Sequence, residues 1–169
     1  EMHKFEKWFV NSDFCNFFHK KIIFPIFFNF INEELKGKAL DIGCGVGKTT
    51  HLLAKRYNKL LITAIDYDKE QIKIAKKHKN LMNAKFQQGD ATNLKFRNRS
   101  FDYVVETNAF HHIKDYTKAI KEAFRVLKKN GVFYLMDANQ YFFMLWPIKL
   151  LFPPEAYLTK KEFIKKLEY

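Results

Sequence analysis

Cysteine is scarce in this chain. Cys15 and Cys44 are too few for a disulfide-stapled secreted scaffold and lack metal-ligand spacing, so the expectation is a reducing, cytoplasmic setting and no metal site. Long apolar runs are missing too. The longest, Ile22 to Phe28 and Tyr141 to Trp146, fall short of the roughly 18 to 20 residues a membrane-spanning helix needs, and both contain or adjoin proline. The first residues lack the basic stretch, apolar core and small-residue cleavage site of a secretion signal. Acidic residues are outnumbered, 18 Asp+Glu against 30 Lys+Arg, for a formal charge of +12. Arginine is also sparse: only Arg56, Arg97, Arg99 and Arg125. Surfaces that read phosphates or bases lean on the bidentate guanidinium fork, so the excess of lysine speaks for compositional bias more than for nucleic acid.

What is present is the composition of one globular domain, 169 residues with 47% hydrophobic, 28% charged and 17% aromatic side chains. Charge and aromatics are segregated. Residues 1–38 carry six Lys against five acids, residues 39–138 nineteen basic against ten acidic, and residues 139–169 five against three. The same three segments hold ten, eleven and eight aromatics, so the central stretch is the poorest in rings. Single-strand nucleic-acid surfaces interleave basic residues with stacking rings, which this arrangement does not do.

From Lys38 onward, short apolar runs alternate with segments of helical period, the pattern of a doubly wound α/β fold with a mostly parallel sheet. Strands are expected at Ala39–Ile42, Leu61–Ile65, Lys85–Gln88, Tyr103–Glu106 and Val132–Asp137. Helices are expected at Lys48–Tyr57, at Lys69–Lys79 after Asp68 as N-cap, and at Tyr116–Lys129 between Asp115 and Asn130-Gly131. A Phe-rich helical segment, His3 to Leu35, precedes the sheet and breaks near Pro25. After the fifth strand come an apolar stretch, Asn139–Pro154, and a capping-box pattern at Thr159–Glu162 that opens a short helix. The organisation reads as an N-terminal helical cap (1–38), a core (39–138) and a C-terminal segment (139–169) within one structural domain.

The chemistry concentrates in Asp41-Ile42-Gly43-Cys44-Gly45-Val46-Gly47-Lys48, a strand entering a glycine-rich turn at a helix start. Glycines let the backbone take positive φ and approach a ligand closely, and a helix N-terminus presents free N–H groups. A phosphate-binding P-loop would need glycine at position 42, which is Ile42, and a dinucleotide fingerprint would need its third glycine at position 48, which is Lys48. Both readings fail. Asp41 would lie on a central parallel strand, where an ionised carboxylate is costly unless paired, and a cationic ligand would resolve that cost.

The remaining pattern, Asp-x-Gly-x-Gly-x-Gly, resembles the class I S-adenosylmethionine-dependent methyltransferases, in particular the small-molecule group that includes quinone-biosynthesis enzymes. Further ordered blocks carry the resemblance: Ile62–Tyr67 ending in Asp66, Gly89-Asp90-Ala91, Phe101–Val105 with Phe110–Ile113, and Glu122–Gly131. It implies a Rossmann-like core that binds S-adenosylmethionine and releases S-adenosylhomocysteine. It further implies that Asp41 faces the methionine ammonium across the turn of Gly43, Cys44, Gly45 and Gly47. Asp66 would then hold the ribose hydroxyls, Tyr67 would pack on adenine, and Gly89-Asp90-Ala91 would meet the adenine edge. Glu106, at the end of the fourth strand, is counted with the same cofactor edge.

Methyl transfer needs alignment and exclusion of water more than catalytic side chains. Where the acceptor is a hydroxyl or an acidic carbon, His111 or His112 is the candidate base, the alternative being a structural histidine. The segment Glu106-Thr107-Asn108-Ala109 lacks both the Asp/Asn-Pro-Pro-Tyr/Phe of amino-group methylases and the Pro-Cys nucleophile of pyrimidine C5 methylases. The resemblance to the small-molecule group implies that the N-terminal cap and the segment after the fifth strand, the two aromatic-rich flanks here, cover the acceptor, so a small apolar or aromatic molecule is expected. The alternatives are a non-catalytic cofactor- or lipid-binding relative or an RNA methyltransferase. Peripheral membrane contact is compatible with those flanks. The family's C-terminal antiparallel strand pair is missing up to Tyr169, which leaves the fifth strand as an exposed edge open to homodimerisation.

Overall fold

The computed structural model describes residues 12, 17, 20–21, 24–29, 31, 34–77 and 81–136. Most of the expected N-terminal cap, the apolar stretch 139–154 and the helix from Thr159 lie outside the described residues. Among the described residues, five strands form one parallel sheet in the order β3-β2-β1-β4-β5: β1 (Gly37–Ile42), β2 (Leu60–Asp66), β3 (Ala84–Gln88), β4 (Phe101–Thr107) and β5 (Leu127–Met136). Strand β5 is an edge of this described sheet, and no described helix is long and apolar enough to cross a membrane.

The inner strands are where apolar, often β-branched residues alternate between two covered faces, whereas edge strand β3 carries Lys85, Gln87 and Gln88 exposed. On β1, Leu40 and Ile42 enter one cluster with Val104, Phe133 and the stripe Ala119, Ile120, Ala123 and Phe124 of helix α4 (Tyr116–Val126). Ala39, on the opposite face, joins Val105, Tyr134 and the Leu53-Ala54 pair of helix α2 (Lys48–Arg56). Helix α1 (Phe24–Asn29), whose first turn contains Pro25, adds fully buried Phe27 to that second cluster, edge-on to Tyr134. Phe24 and Phe27 are thus core residues, whereas Phe17 is 62% exposed. Helix α3 (Lys69–Ala75) starts where expected, with Asp68 accepting the Glu70 N–H.

Several boundaries differ from the sequence expectation: residues 34–36 are not helical, α3 ends at Ala75 and not at Lys79, and β5 begins at Leu127 and not at Val132. Helix α4 stops at Val126, not at Lys129, and Leu127 is already extended and paired with Phe101. The cause is tertiary. The Arg99 and Ser100 N–H groups take the carbonyls of Arg125 and Val126, at 3.0 and 2.8 Å, and Lys128 reaches Asp102 at 2.8 Å. Asn130-Gly131 then falls within an irregularity of β5, between the Phe101–Leu127 and Tyr103–Val132 pairs, and does not end a helix.

Candidate functional site

The parallel register brings the carboxyl ends of four strands together, each carrying an acid. Asp41 lies beside Ala64 and Val105, Glu106 beside Ile42, and Asp66 beside Gln88, two residues before Asp90. A protein of formal charge +12 therefore concentrates carboxylates on the edge where open α/β sheets bind ligands.

Asp41 has no accessible surface. Its Oδ2 accepts a hydrogen bond of 2.5 Å from the hydroxyl of Thr50, on the first turn of α2, and its buried Oδ1 has no partner. Burial, with the nearby Asp66 charge adding to it and the Thr50 bond opposing it, pushes Asp41 up to about 7. An isolated carboxylate held this way is costly, and a cation meeting Oδ1 would remove the cost.

The turn after β1 is built by its glycines and by Asp66. Gly43, Gly45 and Gly47 all have positive φ. The Gly43 and Cys44 N–H groups donate to Ile65 O, while Asp66 Oδ2 accepts the Gly45 N–H at 2.7 Å and Oδ1 accepts the Asp68 N–H at 2.8 Å. A Cβ on Gly47 would meet the Phe86 ring at 2.7 Å, whereas one on Gly45 would meet nothing within 4 Å. The turn is thus packed on its inner side and open at Gly45, as a ligand lying against its backbone requires. Cys44 is buried there, and burial, with the charges of Asp41 and Asp66, raises its thiol well above its usual range. A nucleophilic thiolate does not form under those conditions.

Tyr67 follows Asp66 and is 63% exposed. Gly89 donates to Asp66 O at 3.0 Å, which joins the turns after β2 and β3. Asp90 Oδ1 accepts from the N–H and hydroxyl of Thr92, both at 2.8 Å, and Ala91 is buried. Alternation puts Glu106 on the opposite face of the sheet from Asp41. There its Oε1 accepts the Ala109 and Phe110 N–H groups and shapes the turn into the short helix Phe110–His112. His112 is half-buried in that helix; the side chain of His111 lies outside the described part.

Several residues shape the site without having been singled out by sequence reasoning. Thr50 holds Asp41, and Thr49 pairs with Thr107 hydroxyl to hydroxyl at 2.8 Å, fastening the start of α2 to the end of β4. Arg125 directs its fork at Phe96 O, Leu94 O, Asn98 Oδ1 and both oxygens of Glu122, pinning the segment after Asp90 onto α4. The adjacent Thr49-Thr50 pair at a helix start, facing two strand ends, is a signal that the sequence did contain.

Residues 40–135 match the family described as a methyltransferase domain. The chain is 34% identical over 112 residues to the demethylmenaquinone methyltransferase of Staphylococcus epidermidis, covering 65% of this chain and 46% of that protein. It is 37% identical over 103 residues to the uncharacterized methyltransferase YcgJ of Bacillus subtilis, covering 59% and 40%. The chain therefore spans about half the length of the curated relatives it matches. A solved structure of a protein from Methanococcus maripaludis, assigned as an S-adenosyl-L-methionine-dependent methyltransferase, superimposes with a TM-score of 0.67 at 28% identity, covering 82% of this chain and 66% of that one.

Proposed function

Because the chain belongs to the methyltransferase domain family, we propose that it binds S-adenosylmethionine along the carboxyl edge of β1, β2 and β3 and transfers the methyl group to a small apolar or aromatic molecule. The observation that carries this reading is Asp41: a fully buried carboxylate with one oxygen held by Thr50 and the other without a partner, two residues before an open glycine turn. A ligand ammonium fits that oxygen in charge and in hydrogen bonding.

The cofactor supplies the electrophile, a methyl group on a positively charged sulfur. The protein's part is to place and enclose it. Asp41 holds the ammonium, and Gly45 lets the ligand lie against the turn. Asp66, oriented by the Gly45 and Asp68 N–H groups, is the acceptor for vicinal hydroxyls. The Tyr67 ring and the Gly89-Asp90-Ala91 turn flank a flat heterocycle. Fixing these groups before the reaction removes the orientation cost from the transfer step. His112 or His111, in the segment beyond the end of β4, is the candidate base for an acceptor that loses a proton.

Two facts support an acceptor of the aromatic, quinone type: the name of the Staphylococcus epidermidis relative and the absence of the amino-group methylase signature after β4. Calorimetry with S-adenosylhomocysteine tests the cofactor, with binding weakened at least tenfold expected in Asp66→Ala. Absence of binding at millimolar ligand would overturn the assignment. Transfer of a labelled methyl group to reduced, hydroxylated aromatic acceptors, diminished in His112→Ala, tests the reaction.

A further inference from the structure

We infer that Thr50 is a positioning residue for the cofactor's ammonium group, its hydroxyl holding the Asp41 carboxylate so that Oδ1 remains presented for the ligand. The inference rests on the proposed cofactor reading and adds to it a residue on a different element.

A carboxylate has about four acceptor positions, and burial without donors is costly. Asp41 has no accessible surface, and Thr50, equally inaccessible, donates to Oδ2. Had the pair evolved only to neutralise a buried acid, a second donor on Oδ1 would be expected; that oxygen has none.

Carboxylate rotation about χ2 is soft, so an acid held at neither oxygen would point Oδ1 in a range of directions. Thr50 sits on the first turn of α2, and its neighbour Thr49 is bonded to Thr107 on β4 at 2.8 Å. The helix start is thereby tied to two strands, β1 through Thr50 and β4 through Thr49. A hydroxyl on such a base fixes one oxygen and aims the other.

The elements around Asp41 contribute other charged or titratable groups: Asp66 from β2, Cys44 from the turn, Lys48 and His51 from α2, and Glu106 from β4. All of them are unchanged in a Thr50 variant. A difference between variant and wild type in the pH dependence of binding therefore isolates the Thr50–Asp41 bond. Because that bond favours the charged form of Asp41, its removal moves the acid midpoint of binding to higher pH.

The test is calorimetric, on the full chain, with two probes: S-adenosylhomocysteine and 5′-methylthioadenosine, which keeps the nucleoside and lacks the amino-acid end. The variants are Thr50→Val, Thr50→Ala, Thr50→Ser and Asp41→Asn, each checked for cooperative melting, between pH 5.5 and 8.5. Thr50→Val is expected to weaken S-adenosylhomocysteine by about tenfold and 5′-methylthioadenosine by less than about twofold, in line with loss of one hydrogen bond to a charged group. Its acid midpoint is expected to rise, and Thr50→Ser to restore both affinity and midpoint. Equal weakening of the two probes in Thr50→Val and Thr50→Ala would reduce Thr50 to a packing role and overturn the proposal. If Asp41→Asn weakens S-adenosylhomocysteine while the Thr50 variants do not, the Thr50 proposal falls and the ammonium reading stands. If Asp41→Asn has no effect either, the ammonium reading falls and takes the proposal with it.

Discussion

Gly43 and Ala109 stand against each other: a Cβ on Gly43 would lie 2.2 Å from the Ala109 Cβ, so the turn after β1 and the turn after β4 touch at the carboxyl edge of the sheet. The second turn is set by Glu106, which captures the Ala109 and Phe110 N–H groups. A side chain at position 43 therefore disturbs both turns at once.

Gly43→Ala and Gly45→Ala are expected to behave differently. Both residues have positive φ, which costs an alanine about 1 kcal/mol or slightly more. Gly43→Ala adds overpacking against Ala109, for a total loss of roughly 2 to 4 kcal/mol in urea unfolding. Gly45→Ala meets nothing within 4 Å and should lose only about 1 kcal/mol, yet its methyl group occupies the open side of the turn. Calorimetry should therefore show cofactor affinity falling sharply in a Gly45→Ala protein that remains folded.

Asp41 makes stability depend on pH in a stated direction. Its folded value, about 7, lies above its ordinary 3.8, so the folded state holds the proton more tightly than the unfolded chain. The resulting contribution to stability is complete below about pH 4 and is lost as pH rises toward 7. Asp41→Asn has no such loss, so relative to wild type it should gain stability between pH 5 and pH 8, on the order of a few kcal/mol. Urea titrations at the two pH values check this; a pH-independent difference would mean that Asp41 is charged throughout.

Arg125 and Glu122 clamp the segment that follows Asp90. Arg125→Lys keeps the charge but replaces a fork serving Leu94, Phe96, Asn98 and Glu122 by a single ammonium, so a loss of about 2 to 3 kcal/mol is expected. Hydrogen exchange should quicken at residues 94–100 before it does in the sheet. The hydrogen bond from Arg125 holds Glu122 below its usual value, so its contribution is present above the unfolded pKa and lost as pH falls through the folded one. Glu122→Gln should flatten that acid limb.

Cys44 should be inert in the native state. It is buried, and burial with the Asp41 and Asp66 charges raises its thiol. Mass spectrometry of the Cys44 peptide after iodoacetamide at pH 8 should find little alkylation in buffer and rapid alkylation in urea.

The central strands were readable because a parallel strand buried on both faces shows itself as a short apolar run; β1 to β4 fell within a few residues of their observed limits, whereas β5 begins at Leu127, five residues before the expected Val132. Asp41, Asp66 and the glycine turn were readable for a related reason: a turn with three positive-φ positions leaves few residue choices. The end of α4 was misread. Val126-Leu127-Lys128-Lys129 continues the helical pattern, and only the N–H groups of Arg99 and Ser100, from a distant segment, end the helix earlier. Arg125 was passed over as one of a few arginines because its carbonyl and amide partners stand 27 to 31 residues away.

By itself the sequence determined the order of strands and helices, the glycine turn and the acids at successive strand ends, because hydrophobic period and backbone conformational limits act over a few residues at a time. The tertiary structure decided which of those acids is buried with an oxygen to spare, which threonine holds it, and where α4 gives way to β5. Those outcomes depend on donors and acceptors brought together by folding from separate segments, and desolvation then sets what each buried group can bind.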